Sequence, residues 1–312
     1  MHTTEMLDRL GLGPTDRAVV LHADDIGMCE ATVTAYRQTV SSPVVSAASA
    51  MVPCAWFPAL ARLCAELDTA PDLGVHLTLN SEWVGYRWRP LTPAGHAVLT
   101  DESGYLPSTA AQLHGRPGIR EAVVAELSAQ VDHARALGVD VTHLDSHMLT
   151  LYGPELIGAY VELSARYRLP ATLLRHDAQQ VGELCNIPQS DAAAVADELA
   201  DAERQGLVPF DAWVDLPLGR PENRRETATR LLDSLPAGLS VFIMHPAAET
   251  DELKAIAPDW QARVADFELC RDDKWIDIVD RSGVTVVGMQ AVRDALFGVG
   301  AVAASVRAEA GR

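Results

Sequence analysis

Short apolar runs alternate along this chain with longer segments in which apolar side chains recur every three or four positions. The first kind of run reads as a buried strand, the second as an amphipathic helix. Residues 18–21 (A-V-V-L) predict a first strand and residues 29–40 a helix behind it. Further strands are expected at 44–52 (stopped by Pro53), 72–79, 140–147, 171–176, 210–216, 238–245 and 284–288. Helices are expected at 56–67, 119–137, 154–167, 222–235, 258–270 and 274–281, with a closing helix from 290. Residues 181–205 read as mostly helical with a break at Pro188. Strands followed by helices about eight times over predict an α/β protein, a single-domain parallel (β/α) barrel like a TIM barrel.

One stretch stands outside this rhythm. Residues 80–117 form a long irregular excursion carrying Trp83, Tyr86, Trp88 and several Pro and Gly residues. Loops of that length in a compact domain are more often functional than not. Trp83 and Trp88 could line a sugar-stacking rim or simply pack against the body. The expected organisation is an extension at 1–17, the barrel domain at 18–297 and an Ala-rich, loosely docked tail at 298–312.

Charge and cysteine usage narrow the function. A formal net charge of −18 argues against binding nucleic acid or an anionic membrane face. No run reaches the roughly 18 apolar residues of a membrane-spanning helix, and residues 1–17 lack the apolar centre of a secretory signal. The five cysteines (Cys29, Cys54, Cys64, Cys185 and Cys270) are odd in number and have no C-x-x-C spacing. That fits reduced thiols and a cytoplasmic location.

The chemistry gathers at the ends of the predicted strands. In a parallel barrel the C-terminal strand ends share one face. There the sequence places Asp24 and Asp25, His76, His143 with Asp145 and His147, Arg175, Asp215 and His245. A carboxylate and two imidazoles from different strands can hold one divalent ion and leave positions open for water and substrate. Neighbouring strand residues point to opposite sides, so Asp24 and Asp25 need a local bend or separate duties. The plainer alternative makes them caps of the next helix.

Four segments then resemble one family. H-A-D-D-I-G at 22–27, G-V-H-L-T at 74–78, T-H-L-D-S-H at 142–147 and M-H-P-A at 244–247 are similar to the signatures of the YdjC/ChbG-type carbohydrate deacetylases. The resemblance spans roughly 18–288 and implies a distorted (β/α) barrel. It implies Asp25, His76 and His147 as metal ligands, Asp24 as general base, His245 as general acid, and Arg175 near the base or the substrate. His22, His143, Asp145, Asp215, Trp83 and Trp88 would bind substrate or support the ligands from behind. The family commonly has Asn where this chain has His22, Phe at Ile26, and further histidines where Met148 and Leu149 stand.

The expected activity is metal-dependent hydrolysis of an N-acetyl group from a small amino-sugar or sugar conjugate. The cofactor would be one divalent ion: Mg2+ or Zn2+ first, with Co2+, Ni2+ or Mn2+ also suited. No nucleic acid or integral membrane partner is expected, and a homodimer is the default assembly. Two rivals keep the fold: hydrolysis of another amide or ester bond, and a non-catalytic sugar-binding protein.

Overall fold

In a computed structural model, which describes residues 3–93 and 96–298, the first strand does not stop before the paired acids but runs through them. This strand, β1, is Arg17–Ile26, buried from its second residue onward. It is followed by β2 (Ala47–Ala50), β3 (Leu73–Leu77), β4 (Val141–Ser146), β5 (Ala212–Asp215), β6 (Gly238–Met244) and β7 (Val284–Val286). All their pairings are parallel, in the order β4-β3-β2-β1-β6-β5, with β7 on β1. Helices between the strands cover the outside, as a parallel sheet buried on both faces requires.

Two expectations change. Residues 171–176 do not form a strand. They make only two isolated parallel bridges, Leu144 to Ala171 and Leu174 to Phe210. The backbone folds on itself here, because Leu173 N donates to Ala171 O and His176 N to Leu174 O. Those contacts replace the ladder, yet the bridges still link β4 to the segment leading into β5, so the sheet curls into a distorted barrel. The final strand also moves. β6 pairs with residues 17–23 of β1 along one edge. β7 therefore lies on the other edge, beside Arg17–Val19 and below β2. The barrel closes between β1 and β6, without an eighth strand among the described residues.

Helices follow their sequence signals closely. Ile119–Ala136 buries Ile119, Val123, Leu127 and Val131 at four-residue spacing and ends before Gly138, whose φ is +85°. At the start of the chain, Thr3–Arg9 buries Met6 and Leu7 and packs against β6. The excursion after β3 is anchored by Glu126, whose buried carboxylate accepts from Leu91 N, Thr92 N and the Thr92 hydroxyl. Arg87 ties it further to Asp101 and Leu106 O. The five cysteines are all free, and no helix among the described residues is long and apolar enough to cross a membrane. The tail expected to be loosely docked lies, from 299 on, outside the described residues.

Candidate metal centre and active site

A bulge at the end of β1 separates the two acids. The register against β2 shifts between Ala23 and Ile26, and Asp25 takes a left-handed φ of +63°. Asp visits that region more readily than most residues, though still at a cost. The result is that Asp24 and Asp25 face different neighbours although they are adjacent in a strand.

Asp25 meets His76 of β3 and His147, which follows β4. Asp25 Oδ1 lies 3.2 Å from His76 Nε2 and 3.2 Å from His147 Nδ1. The two ring nitrogens are 3.1 Å apart. These three residues, all buried, form one group able to hold a metal ion. Donors bonded to one ion at about 2.1 Å sit about 3.0 to 3.4 Å from one another, from octahedral to tetrahedral angles, and the 3.1–3.2 Å seen falls in that range. Asp25 Oδ1 is moreover a buried oxygen with no well-formed hydrogen bond, so the donor set fits a cation better than it satisfies itself.

The groups behind these three fix their orientation. Asp145 Oδ2 accepts from His76 Nδ1 at 2.6 Å and from the Ser49 hydroxyl at 2.8 Å, which leaves His76 Nε2 directed at Asp25. Glu82 lies 3.1 Å from His147 Nε2. Arg263 donates to Asp25 Oδ2 at 2.7 Å and to Asp259 at 2.9 Å, and lies over the Trp83 ring. Arg263 and Asp25 are both buried, so removing Arg263 would leave the Asp25 carboxylate without its cationic partner.

Burial alone would raise the Asp25 carboxyl, but Arg263 and then His147 and His76 hold it well below the usual carboxylate range. Burial opposes charge on both rings. Asp145 and Asp24 nevertheless lift His76 well above the usual imidazole range, and Glu82 and Asp25 lift His147 to about 9. A metal-free site near neutral pH therefore holds protons that an entering cation must displace. Metal affinity is expected to rise with pH up to about 9, with protons released on binding. Titrations at two pH values in buffers of different ionisation enthalpy measure both, and affinity independent of pH would refute the expectation. His147 also carries the corresponding stability sign. Its folded value lies above the unfolded 6.5, so its contribution is present below that value and lost as pH rises through about 9.

Asp24 stands beside the ligand set. Its Oδ1 meets His22 Nδ1 at 2.6 Å, and its Oδ2 is 4.0 Å from His76 Nε2. A cavity of about 480 Å3 opens over Asp24, Asp25, His76 and His147. His245 lines it too, with its Nδ1 buried and unpartnered. The backbone N–H of His245 donates to Asp266, which also accepts from Arg224 Nε. Trp83, Trp213, Met148 and Leu149 supply an apolar wall, and Asp215 a carboxylate. Met148 and Leu149 both hold left-handed φ angles, +53° and +51°.

Not every expected residue arrives. Arg175 is absent from the cavity lining. Its guanidinium is spent on Glu203, Asp211 and the carbonyls of Val208 and Pro209, because the fold of 171–176 turns it away. The tryptophans do not form an open rim. Both are buried. Trp83 lines the cavity, whereas Trp88 packs edge-on to Trp83 and to His147 and donates to Asn80 O. His22 and His143 lie behind Asp24, in contact at 2.7 Å.

His143 leans on Gly74, where a Cβ would sit 2.5 Å from its Nε2. Gly74→Ala is expected to destabilise the fold by about 1–3 kcal/mol. A denaturation midpoint equal to the parent's would contradict that contact.

Glu82, Arg263 and Asp266 escape a reading of strand ends. Arg263 and Asp266 do carry a signal, since both interrupt the buried face of the helix Trp260–Leu269, beside Ala262 and Phe267. Glu82 carries none.

Comparisons with known proteins show the family and the fold. The family model described as YdjC-like protein matches residues 18–281. A carbohydrate deacetylase of Thermus thermophilus is 35% identical over 294 residues, covering 94% of this chain and 100% of that one. A chitooligosaccharide deacetylase of Yersinia enterocolitica is 29% identical over 178 residues, covering 56% of this chain and 66% of the relative. Among solved structures, a proposed cellobiose-phosphate cleavage protein of Enterococcus faecalis V583 matches with a TM-score of 0.72 at 18% identity. That match covers 89% of this chain and 99% of the other, and at such identity it speaks for the fold alone.

Proposed function

Since this chain belongs to the YdjC-like protein family, we propose that it is a divalent-metal-dependent deacetylase. It would remove the N-acetyl group from an amino-sugar or sugar conjugate. The observation that carries the reading is the triangle of Asp25, His76 and His147 donor atoms at 3.1–3.2 Å, with the Asp24 carboxylate beside it. The relatives described as carbohydrate and chitooligosaccharide deacetylases support the choice of bond.

A divalent ion held by Asp25, His76 and His147 would polarise the acetyl carbonyl and acidify the attacking water. Mixed nitrogen and oxygen donors suit Zn2+, and Mg2+ where water completes the set. Asp24 would take the proton of that water on Oδ2, while His22 holds Oδ1. His245 would return a proton to the leaving amine from the cavity wall. Arg263, bound to Asp25 Oδ2, keeps Oδ1 turned towards His76 and His147. Trp213 would offer an apolar surface to a sugar ring, with Trp83 part of the wall beside it.

The test is acetate release from N-acetylglucosamine and its oligosaccharides by protein loaded with Zn2+ or Mg2+. Release that disappears with chelation and returns with the metal is the expected outcome. Bound metal with no acetate from any of these substrates would overturn the substrate class.

A further inference from the structure

Behind Asp24, on the side away from the cavity, a file of buried polar side chains runs through the sheet. Asp24 Oδ1 meets His22 Nδ1 at 2.6 Å, and His22 Nε2 meets His143 Nε2 at 2.7 Å. His143 Nδ1 meets Thr142 Oγ1 at 2.9 Å, and the Thr142 hydroxyl donates to Asp72 Oδ1 at 2.6 Å. His22, His143 and Thr142 are all buried. Asp72 immediately precedes β3, so the file ends at the opposite face of the barrel from the cavity.

Counting hydrogens shows what this file must contain. Each of the four contacts needs one hydrogen. Ionised carboxylates only accept, a neutral imidazole brings one N–H, and threonine one O–H. Asp24 and Asp72 at the ends therefore supply none, and the three groups between them supply three. One further proton must reside on the file: on Asp24, His22, His143 or Asp72.

The surroundings choose among these. Asp72 Oδ2 accepts the Gln290 N–H at 2.8 Å, in the first turn of the helix Met289–Phe297. Burial lifts the Asp72 carboxyl overall; the Gln290 N–H, the Thr142 hydroxyl, His22 and Arg293 work against it, and a helix N-terminus also favours the ionised form. Between Asp24 and His22 the short 2.6 Å contact is the geometry of a charge-assisted imidazole N–H donated to a carboxylate. Burial opposes charge on His22, but Asp24 and Asp145 lift it overall, against a smaller push from His76. His143 is held well below the usual range by burial and by His22, with Asp145 opposing and His76 and Arg293 adding to the effect.

We propose that Asp72, Thr142 and His143 fix His22 as an imidazolium, and that His22 thereby holds Asp24 by Oδ1 and leaves Oδ2 to the cavity. His22 is then a positioning residue. Its Nδ1–H is donated to Asp24 and its Nε2–H to His143, whose Nδ1–H is donated to Thr142. Only the kinetic consequence rests on Asp24 being the base of a deacetylase.

The test uses the Zn2+-loaded protein labelled with 15N in its histidine rings, with His22→Asn serving to assign the His22 signals. At pH 7 both His22 nitrogens are expected to be protonated, and His143 Nε2 to be bare. Thr142→Val keeps the shape and removes the hydroxyl. His143 then loses its acceptor and is expected to move its proton to Nε2, which converts His22 to a neutral ring. Acetate release by this variant should fall about tenfold in kcat at unchanged KM, the size of one net hydrogen bond. A neutral His22 in the parent protein would overturn the proposal, even if Thr142→Val failed to fold. Unchanged His22 signals in a folded Thr142→Val protein would do the same. Absence of acetate release from every substrate would instead overturn the deacetylase reading and leave the ring signals as proposed.

Discussion

His147→Ala is expected to abolish metal retention and acetate release together. His147 contributes one of the three donor atoms, and its Nδ1 sits 3.2 Å from Asp25 Oδ1 and 3.1 Å from His76 Nε2. Without it two donors remain on one side of any ion, and water must fill the gap. Lewis-acid stabilisation by a metal is worth several kcal/mol of developing charge. Losing about 4 kcal/mol lowers the rate by about 10³-fold. Metal content by elemental analysis and single-turnover acetate release check the two halves separately. The ring also touches Trp88, so the variant's denaturation midpoint should be measured alongside. A variant that loses its metal but keeps its rate would remove the basis for placing the chemistry at this site.

Asp24→Asn is expected to do the opposite with respect to metal. Asp24 is not one of the three clustered donors, and its Oδ2 stays 4.0 Å from His76 Nε2. Metal content should therefore stay at the parent level while kcat falls by about 10²- to 10⁴-fold, the usual worth of a positioned base. The amide presents either an oxygen or a nitrogen to His22, so the fold should tolerate the change. Measuring kcat and KM apart is decisive, because loss of a base lowers kcat with little change in substrate binding. Loss of metal from Asp24→Asn would instead make Asp24 a fourth ligand and leave the base unassigned.

Parts of this site are legible in the amino-acid sequence. Strand-end position alone gathers Asp24, Asp25, His76, His147 and His245, because parallel strands in a barrel deliver their C-terminal ends to one face. The same rule misplaces Arg175. Its segment begins like a strand, A-T-L-L, but bends on itself at Ala171–Leu173 and Leu174–His176. Apolar composition reports burial, and both a strand and a buried turn satisfy it. Arg263 escapes the rule because it reaches Asp25 across 238 residues, from a helix rather than a strand.

Local patterns along the chain suffice for the alternation of strand and helix, the α/β class and the set of polar groups at the strand ends. Those follow from local periodicity, since the side a residue buries depends on its neighbours three or four positions away in a helix and two away in a strand. The tertiary structure alone decided how the barrel closes, with β6 against β1 and β7 displaced to the other edge. It also decided which acid joins the histidines, through a bulge and a left-handed residue at Asp25. The same holds for the file from Asp24 to Asp72, whose members lie far apart in sequence. Pairings of this kind depend on which strands become neighbours and in what register, and no local pattern along the chain encodes that choice.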